Sequence, residues 1–135
     1  MKIIEKIKQP IIFIGAIGIS IFILFFVIAF TWIGFGVKNK CFDAKKEYGG
    51  SCNESLISLL EDENRGFRAR NSAIWALGQL GNPNSLPTLQ KFYTGNIPDR
   101  EPLDKTISQY ELKKAINLTS GGKNITAIFW RYNLD

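Results

Sequence analysis

The sequence predicts an all-α protein: one transmembrane helix followed by a short α-solenoid of helical hairpins. Three observations carry this expectation. Residues 11–37 contain no charged side chain, and eighteen of these twenty-seven are Ile, Leu, Val or Phe. Beyond them, apolar residues recur at helical spacing in four successive stretches. Gly-Asn-Pro and Gly-Gly breaks punctuate those stretches as helix ends do.

The apolar run is long enough to cross a bilayer. At about 1.5 Å per residue it reaches roughly 40 Å, more than the ~30 Å hydrocarbon core. Its strongly apolar residues each favour insertion by roughly 0.3 to 0.6 kcal/mol, which outweighs Gly15, Gly18, Gly34, Gly36 and Ser20. Lys2, Lys6 and Lys8 also resemble the basic start of a cleaved signal peptide. Such peptides have apolar regions of about 7 to 15 residues ending in a small-x-small site, whereas this run is far longer and leaves through Trp32, Phe35 and Val37. A retained, single-pass span is therefore expected, with Trp32 near the membrane–water boundary. Ala16 and Ser20 give it one small-xxx-small spacing that suits helix pairing. The chain divides into a cytoplasmic segment 1–10, a transmembrane helix 11–37, a juxtamembrane segment 38–52 and a helical domain 53–135.

Orientation does not follow from lysine counts, because Lys38, Lys40, Lys45 and Lys46 balance the three lysines ahead of the span. The cysteines decide the expectation. Cys41 and Cys52 are the only two, separated by a stretch containing Gly49 and Gly50. Bridged, they would constrain the unfolded chain by about 3 kcal/mol, and the bridge requires an oxidising compartment. Two reduced thiols in a cytosolic domain are the alternative; a zinc site is disfavoured by the absence of His and of a second thiol pair. A disulfide places the N-terminus in the cytoplasm and the domain outside. Asn53, Asn117 and Asn124 head N-x-S/T tripeptides, which are too short to weigh heavily.

Residues 38–135 carry fourteen Lys and Arg against eleven Asp and Glu, a balance of +3 with the signs interleaved. No basic block marks a nucleic-acid surface, and no nucleic-acid partner is expected. The first helix of the domain runs over 53–61, with Leu56, Ile57, Leu59 and Leu60 at helical spacing. The second, over 67–80, aligns Ala69, Ala73, Ala76, Leu77 and Leu80 on one stripe. Gly81-Asn82-Pro83-Asn84 breaks it, and Leu86, Leu89, Phe92 and Tyr93 begin another, with Pro87 in a first turn where its missing N–H is tolerated. Residues 95–105 form a Pro-rich, charged loop. Ser108 and Glu111 have capping-box spacing and open a helix through Ala115 and Leu118 that Gly121 and Gly122 close. Residues 125–132 allow a strand by composition, but the helical context favours a short packed helix.

The block from Arg70 through Ala73, Ala76-Leu77-Gly78 and Leu80-Gly81 to Leu86 and Leu89 resembles a HEAT repeat of the bacterial HEAT-like type found in phycobilin lyases. The resemblance covers about twenty-five residues, and 110–128 looks like a degenerate second unit. One departure concerns the acid that usually precedes the Arg: Asp62 stands eight residues before Arg70. The small residues Ala69, Ala73 and Ala76 suit close helix approach, and Gly81 suits the tight turn.

Catalysis is not expected. Without His there is no Ser-His or Cys-His nucleophile, and no phosphate-binding or dinucleotide fingerprint appears. Asp99, Glu101 and Asp104 lack EF-hand spacing, and Glu61, Asp62 and Glu63 read as a helix-ending cluster balanced by Arg65, Arg68 and Arg70. No catalytic, metal or cofactor site is therefore assigned. Candidate partner-binding residues are Trp75, on the flank opposite the Ala stripe, Arg100 in the charged loop, and Trp130 and Tyr132 in the apolar C-terminal stretch. Trp75 has a plainer reading as packing against a neighbouring helix. The expected function is a membrane-anchored, non-catalytic interaction module whose partners are the lipid bilayer and a protein, either in a membrane complex or as a homo-oligomer. Two alternatives stay open: a lyase-like or enzyme-accessory protein holding a small ligand in the solenoid groove, as the resemblance implies, or a structural subunit of a membrane complex.

Overall fold

The computed structural model describes residues 2–134, with side chains over 5–132 and at 134; Met1, Asp135 and the Lys2 side chain of the basic N-terminal cluster lie outside it. The described residues form helices and turns, with no strand among them. The helices are α1 (Lys2–Tyr48), α2 (Cys52–Glu61), α3 (Phe67–Leu80), α4 (Leu86–Phe92), α5 (Gln109–Thr119) and α6 (Ala127–Trp130). Short 3-10 turns cover Pro83–Ser85 and Arg131–Asn133.

α1 changes character along its length. It is the one helix among the described residues long and apolar enough to cross a membrane. From Ile7 through Ile28 its large side chains are exposed on all sides, Phe13 at 70% and Phe25 at 74%. From Phe30 onward one face turns into the domain, through Ile33, Gly34, Val37, Cys41, Ala44 and Tyr48, at the three- and four-residue steps of a helical stripe. Val37 and Ala44 are fully buried, while Trp32 and Phe35 on the other face stay exposed. The helix contains Pro10 and runs on past residue 37, where no Gly or Pro interrupts 38–48. It stops at Gly49 and Gly50, whose φ of 72° and 77° only glycine adopts cheaply.

That pair of glycines sends the chain back along α1. The Cys41–Cys52 disulfide ties the start of α2 to α1, and just past the end of α2 Asp62 accepts a 2.6 Å hydrogen bond from the Tyr48 hydroxyl. α2 therefore runs in the same sense as the last turns of α1. Its start carries a full capping box between Ser51 and Glu54.

α3 lies at the centre. It is antiparallel to α2, since Arg70 near its start donates to the Leu60 carbonyl at 2.8 Å while Leu80 at its end shares a small cavity with Cys52 and Asn53. It is parallel to α5, in a constant register: Asn71 meets Ser108, Gly78 meets Ala115 and Gly81 meets the Leu118 carbonyl, each pair thirty-seven residues apart. Gly78 is what permits the approach, because a Cβ there would stand 2.8 Å from the Ala115 Cα. α4 returns antiparallel to α3, and its terminal Phe92 carbonyl accepts from Gln109 at the start of α5. Leu56, Leu60, Ile74, Leu77, Leu89 and Leu112 are buried between these helices, each stabilising the fold by about 1.5–3 kcal/mol relative to exposure. The C-terminal stretch is the short helix α6 and a 3-10 turn, in line with the helical expectation.

Candidate functional site

Three features of the domain bear on function, the first being its junction with α1. The disulfide joins Cys41 and Cys52, which are 3% and 2% exposed, across a Cα–Cα distance of 5.0 Å. Four residues further along α1 than the stripe's Ala44, half-buried Tyr48 donates to Asp62 and lies 3.4 Å from the Arg65 guanidinium, which also pairs with Glu47. Burial and the Asp62 carboxylate push the Tyr48 phenol up to about 12, and the same hydrogen bond, with that from the Asn64 amide, holds Asp62 below the usual carboxylate range. Asp62 is thus hydrogen-bonded to Tyr48, and Arg70 acts on it only through its charge: Arg70 itself donates to Leu60 and lies 5.9 and 5.6 Å from the centres of the Phe67 and Phe92 rings. The eight-residue spacing of acid and Arg noted in the sequence has this structural counterpart.

The second feature is a cleft of about 490 Å³ between the start of α3, the loop after α4 and the start of α5. Trp75 forms its floor, with Arg68 and Ser72 on one side and Leu103, Asp104 and Glu111 on the other. Trp75 is half-buried, and its ring edge also packs over Gly36 of α1, where a Cβ would stand 3.1 Å away. The packing reading therefore holds for the ring edge, while the rest of the side chain is open in the cleft. The loop is held by Asn71, which is 6% exposed: its amide donates to the Leu103 and Thr106 carbonyls at 3.0 and 2.9 Å, and its oxygen accepts from the Ser108 amide at 2.9 Å. Glu101 closes the loop by accepting from the Ser108 hydroxyl and, at 2.7 Å, from the Gln109 amide. Ser108 caps α5, but its partner Glu111 turns to Lys114, so the expected capping box is half made. Arg100 is exposed in the same loop, away from the cleft lining.

The third feature is the C-terminal segment, clasped to the end of α3. Arg131 donates twice to the Gln79 carbonyl, at 2.7 and 3.1 Å, and Asn124 donates to the Gln79 side chain at 2.8 Å. Burial lowers the Arg131 pKa, but the guanidinium stays charged and satisfies a carbonyl that helix geometry leaves unpaired. Trp130 is half-buried over Gly34 of α1, where a Cβ would be 2.8 Å from its own, and Tyr132 is 82% exposed. The four sequence candidates thus separate: Trp75 lines the cleft, Arg100 stands apart, and Trp130 and Tyr132 lie at the opposite end of α3. Of the three N-x-S/T asparagines, Asn53 is buried and Asn124 is engaged with Gln79, leaving Asn117 exposed.

Sequence reasoning missed Asn71, Arg131 and the roles of Gly34 and Gly36. The glycines did carry a signal, since two small residues at the end of an apolar helix mark a close approach as readily as they weaken insertion. Among the described residues no group of three or more His, Cys, Asp or Glu is placed to hold a metal ion.

A family model described as the PBS lyase HEAT-like repeat matches residues 69–94, so α3 and α4 carry a HEAT-like repeat. No curated protein and no solved structure matches the chain.

Proposed function

We propose that this protein is a single-pass membrane protein that presents a short HEAT-like solenoid at the bilayer surface to dock a protein partner, without catalytic chemistry of its own. The carrying observation is the unbroken course of α1 from an apolar, all-round exposed stretch into the domain core, where a disulfide fixes it. A flexible linker would leave the domain free to tumble; this joint holds one face toward the membrane. The solenoid reading is supported by the HEAT-like repeat in α3 and α4 and by the parallel, thirty-seven-residue register of α3 and α5. The disulfide supports an N-terminus in the cytoplasm and a domain in an oxidising compartment.

The partner surface in this reading is the Trp75 cleft, built on the first turns of α3, with the far edge of the Trp75 ring reaching Gly36 of α1. It offers an aromatic floor, the exposed Leu103 and charges of both signs, the mixture from which interface anchors are drawn. The test is site-specific photocrosslinking in intact membranes. A crosslinker at Leu103 should give a discrete adduct that one at the exposed Gln90 does not, and release of the chain from membranes by alkaline carbonate would refute the anchoring.

A further inference from the structure

The outward face of the C-terminal segment is the reverse of what water selects. Ile125, Ile128, Phe129 and Tyr132 are 64, 61, 69 and 82% exposed, while the small Ala127 and the charged Arg131 point inward. Residues 124–134 include no acid and a single base, Arg131, whose charge is turned onto the Gln79 carbonyl. A terminal turn of a domain surrounded by water should show the opposite pattern, and four large, exposed, mainly apolar side chains within residues 125–132 are more than scattered surface exposure explains.

What covers this face is given by where it sits. Residues 11–29 of α1, at about 1.5 Å each, fill roughly 28 Å, close to the ~30 Å hydrocarbon thickness. Phe30 then lies at the edge of that layer. The rings of Phe22, Phe26 and Phe30 follow one another along α1, and Phe129 stacks on the last, with centres 5.0 Å apart and planes 24° from parallel. Tyr132 and Phe129 line a recess with Lys38, about two turns beyond Phe30. The segment is therefore level with residues 30–38 of α1, sharing a recess with Phe35 and at the height of exposed Trp32 on the outer face of the helix, at the depth where aromatic rings collect and just before the run of lysines.

We infer that α6 and the turn after it are a second membrane contact: the lipid interface covers Ile125, Ile128, Phe129 and Tyr132, completing with Trp32 an aromatic belt that α1 begins. The inference rests on the membrane-anchored reading of α1. It also assigns Tyr132 to lipid instead of a protein partner, and it gives the Arg131 clasp a purpose, since the clasp fixes the C-terminal segment to the end of α3.

Depth-dependent quenching of a fluorophore tests it in the full, disulfide-intact chain reconstituted into phosphatidylcholine vesicles. Ile128→Cys and Tyr132→Cys carry the probe, with Phe22→Cys as the marker in the apolar helix and Gln90→Cys as the marker in water; all four side chains are exposed, so labelling leaves the core alone. Lipids with a shallow spin label should quench positions 128 and 132 several-fold more than position 90, and deeply labelled lipids should quench position 22 most. Quenching at 22 with none at 128 and 132 overturns the inference while the anchor stands. A blue-shifted but unquenched probe at 128 and 132 means that a protein covers this face, which also overturns it. Absence of quenching at 22 removes the anchor, and the inference with it.

Discussion

Asn71 holds the cleft together, and its replacement has a calculable cost. The side chain makes three hydrogen bonds, two to carbonyls of residues 103 and 106 and one from the amide of residue 108, and it is almost completely shielded. Asn71→Ala removes three neutral hydrogen bonds at about 1 kcal/mol each and leaves their backbone partners facing a void, so the loss is about 3 kcal/mol. A domain of this size has about 5–15 kcal/mol in all, and 1 kcal/mol moves its melting temperature by about 4–8 °C. The expected fall is therefore about 12–24 °C, followed by near-ultraviolet circular dichroism of the chain in mild detergent, which reports the packed aromatic residues of the domain and not the persistence of α1. Because every lost bond lies in residues 103–108, limited proteolysis should cut that loop before any other site. Asn71→Asp keeps the acceptor for Ser108 but sets a carboxylate against two carbonyls, and should melt no higher than the Ala variant. A melting temperature within about 4 °C of wild type, with the loop cut no faster, would refute the claim that this one side chain fastens the loop.

The disulfide should leave neither thiol open to alkylation until reductant is added, and Cys41→Ser/Cys52→Ser should destabilise the domain by about 3 kcal/mol; immediate labelling of both thiols in unreduced membranes would reverse the proposed orientation. Acid should weaken the domain through Asp62 and Glu54, whose folded pKa values lie below their ordinary 3.8 and 4.5: their contribution is complete above those values and is lost as pH falls through and beneath them, so a melting temperature flat down to pH 2 would contradict both contacts. Tyr48 works the other way. Its phenol is raised from 10.0 to about 12, so the contribution is full below pH 10 and is lost as pH rises from 10 toward 12, which difference absorbance of the tyrosinate in Tyr48→Phe against wild type would detect.

The sequence by itself determined the features that depend on neighbouring residues. The charge-free run made α1 apolar and helical, the Ala and Leu stripe of 67–80 gave α3 its buried face, Gly81-Asn82-Pro83 ended it, and Ser108 opened α5. Each of these is a local pattern of periods, caps and breakers, so one helix's worth of chain suffices to write it. The HEAT-like repeat was legible for the same reason, because its signature lies within one hairpin.

Tertiary structure alone decided which partner each side chain found. Asn71 reads as an ordinary polar residue of a helix until the chain returns thirty-seven residues later to offer it Ser108. Trp75 could be core or surface, and it became both only when α1 brought Gly36 beneath its ring. Trp130 lay in an apolar tail in sequence and Arg131 had no assigned part, and their roles follow from lying beside the face of α1 and the end of α3. The reason is common to all of them: backbone dihedrals and hydrophobic periodicity are set within a few residues, whereas a buried polar group is satisfied by whatever distant atom the packing delivers, and that atom has no fixed offset along the chain.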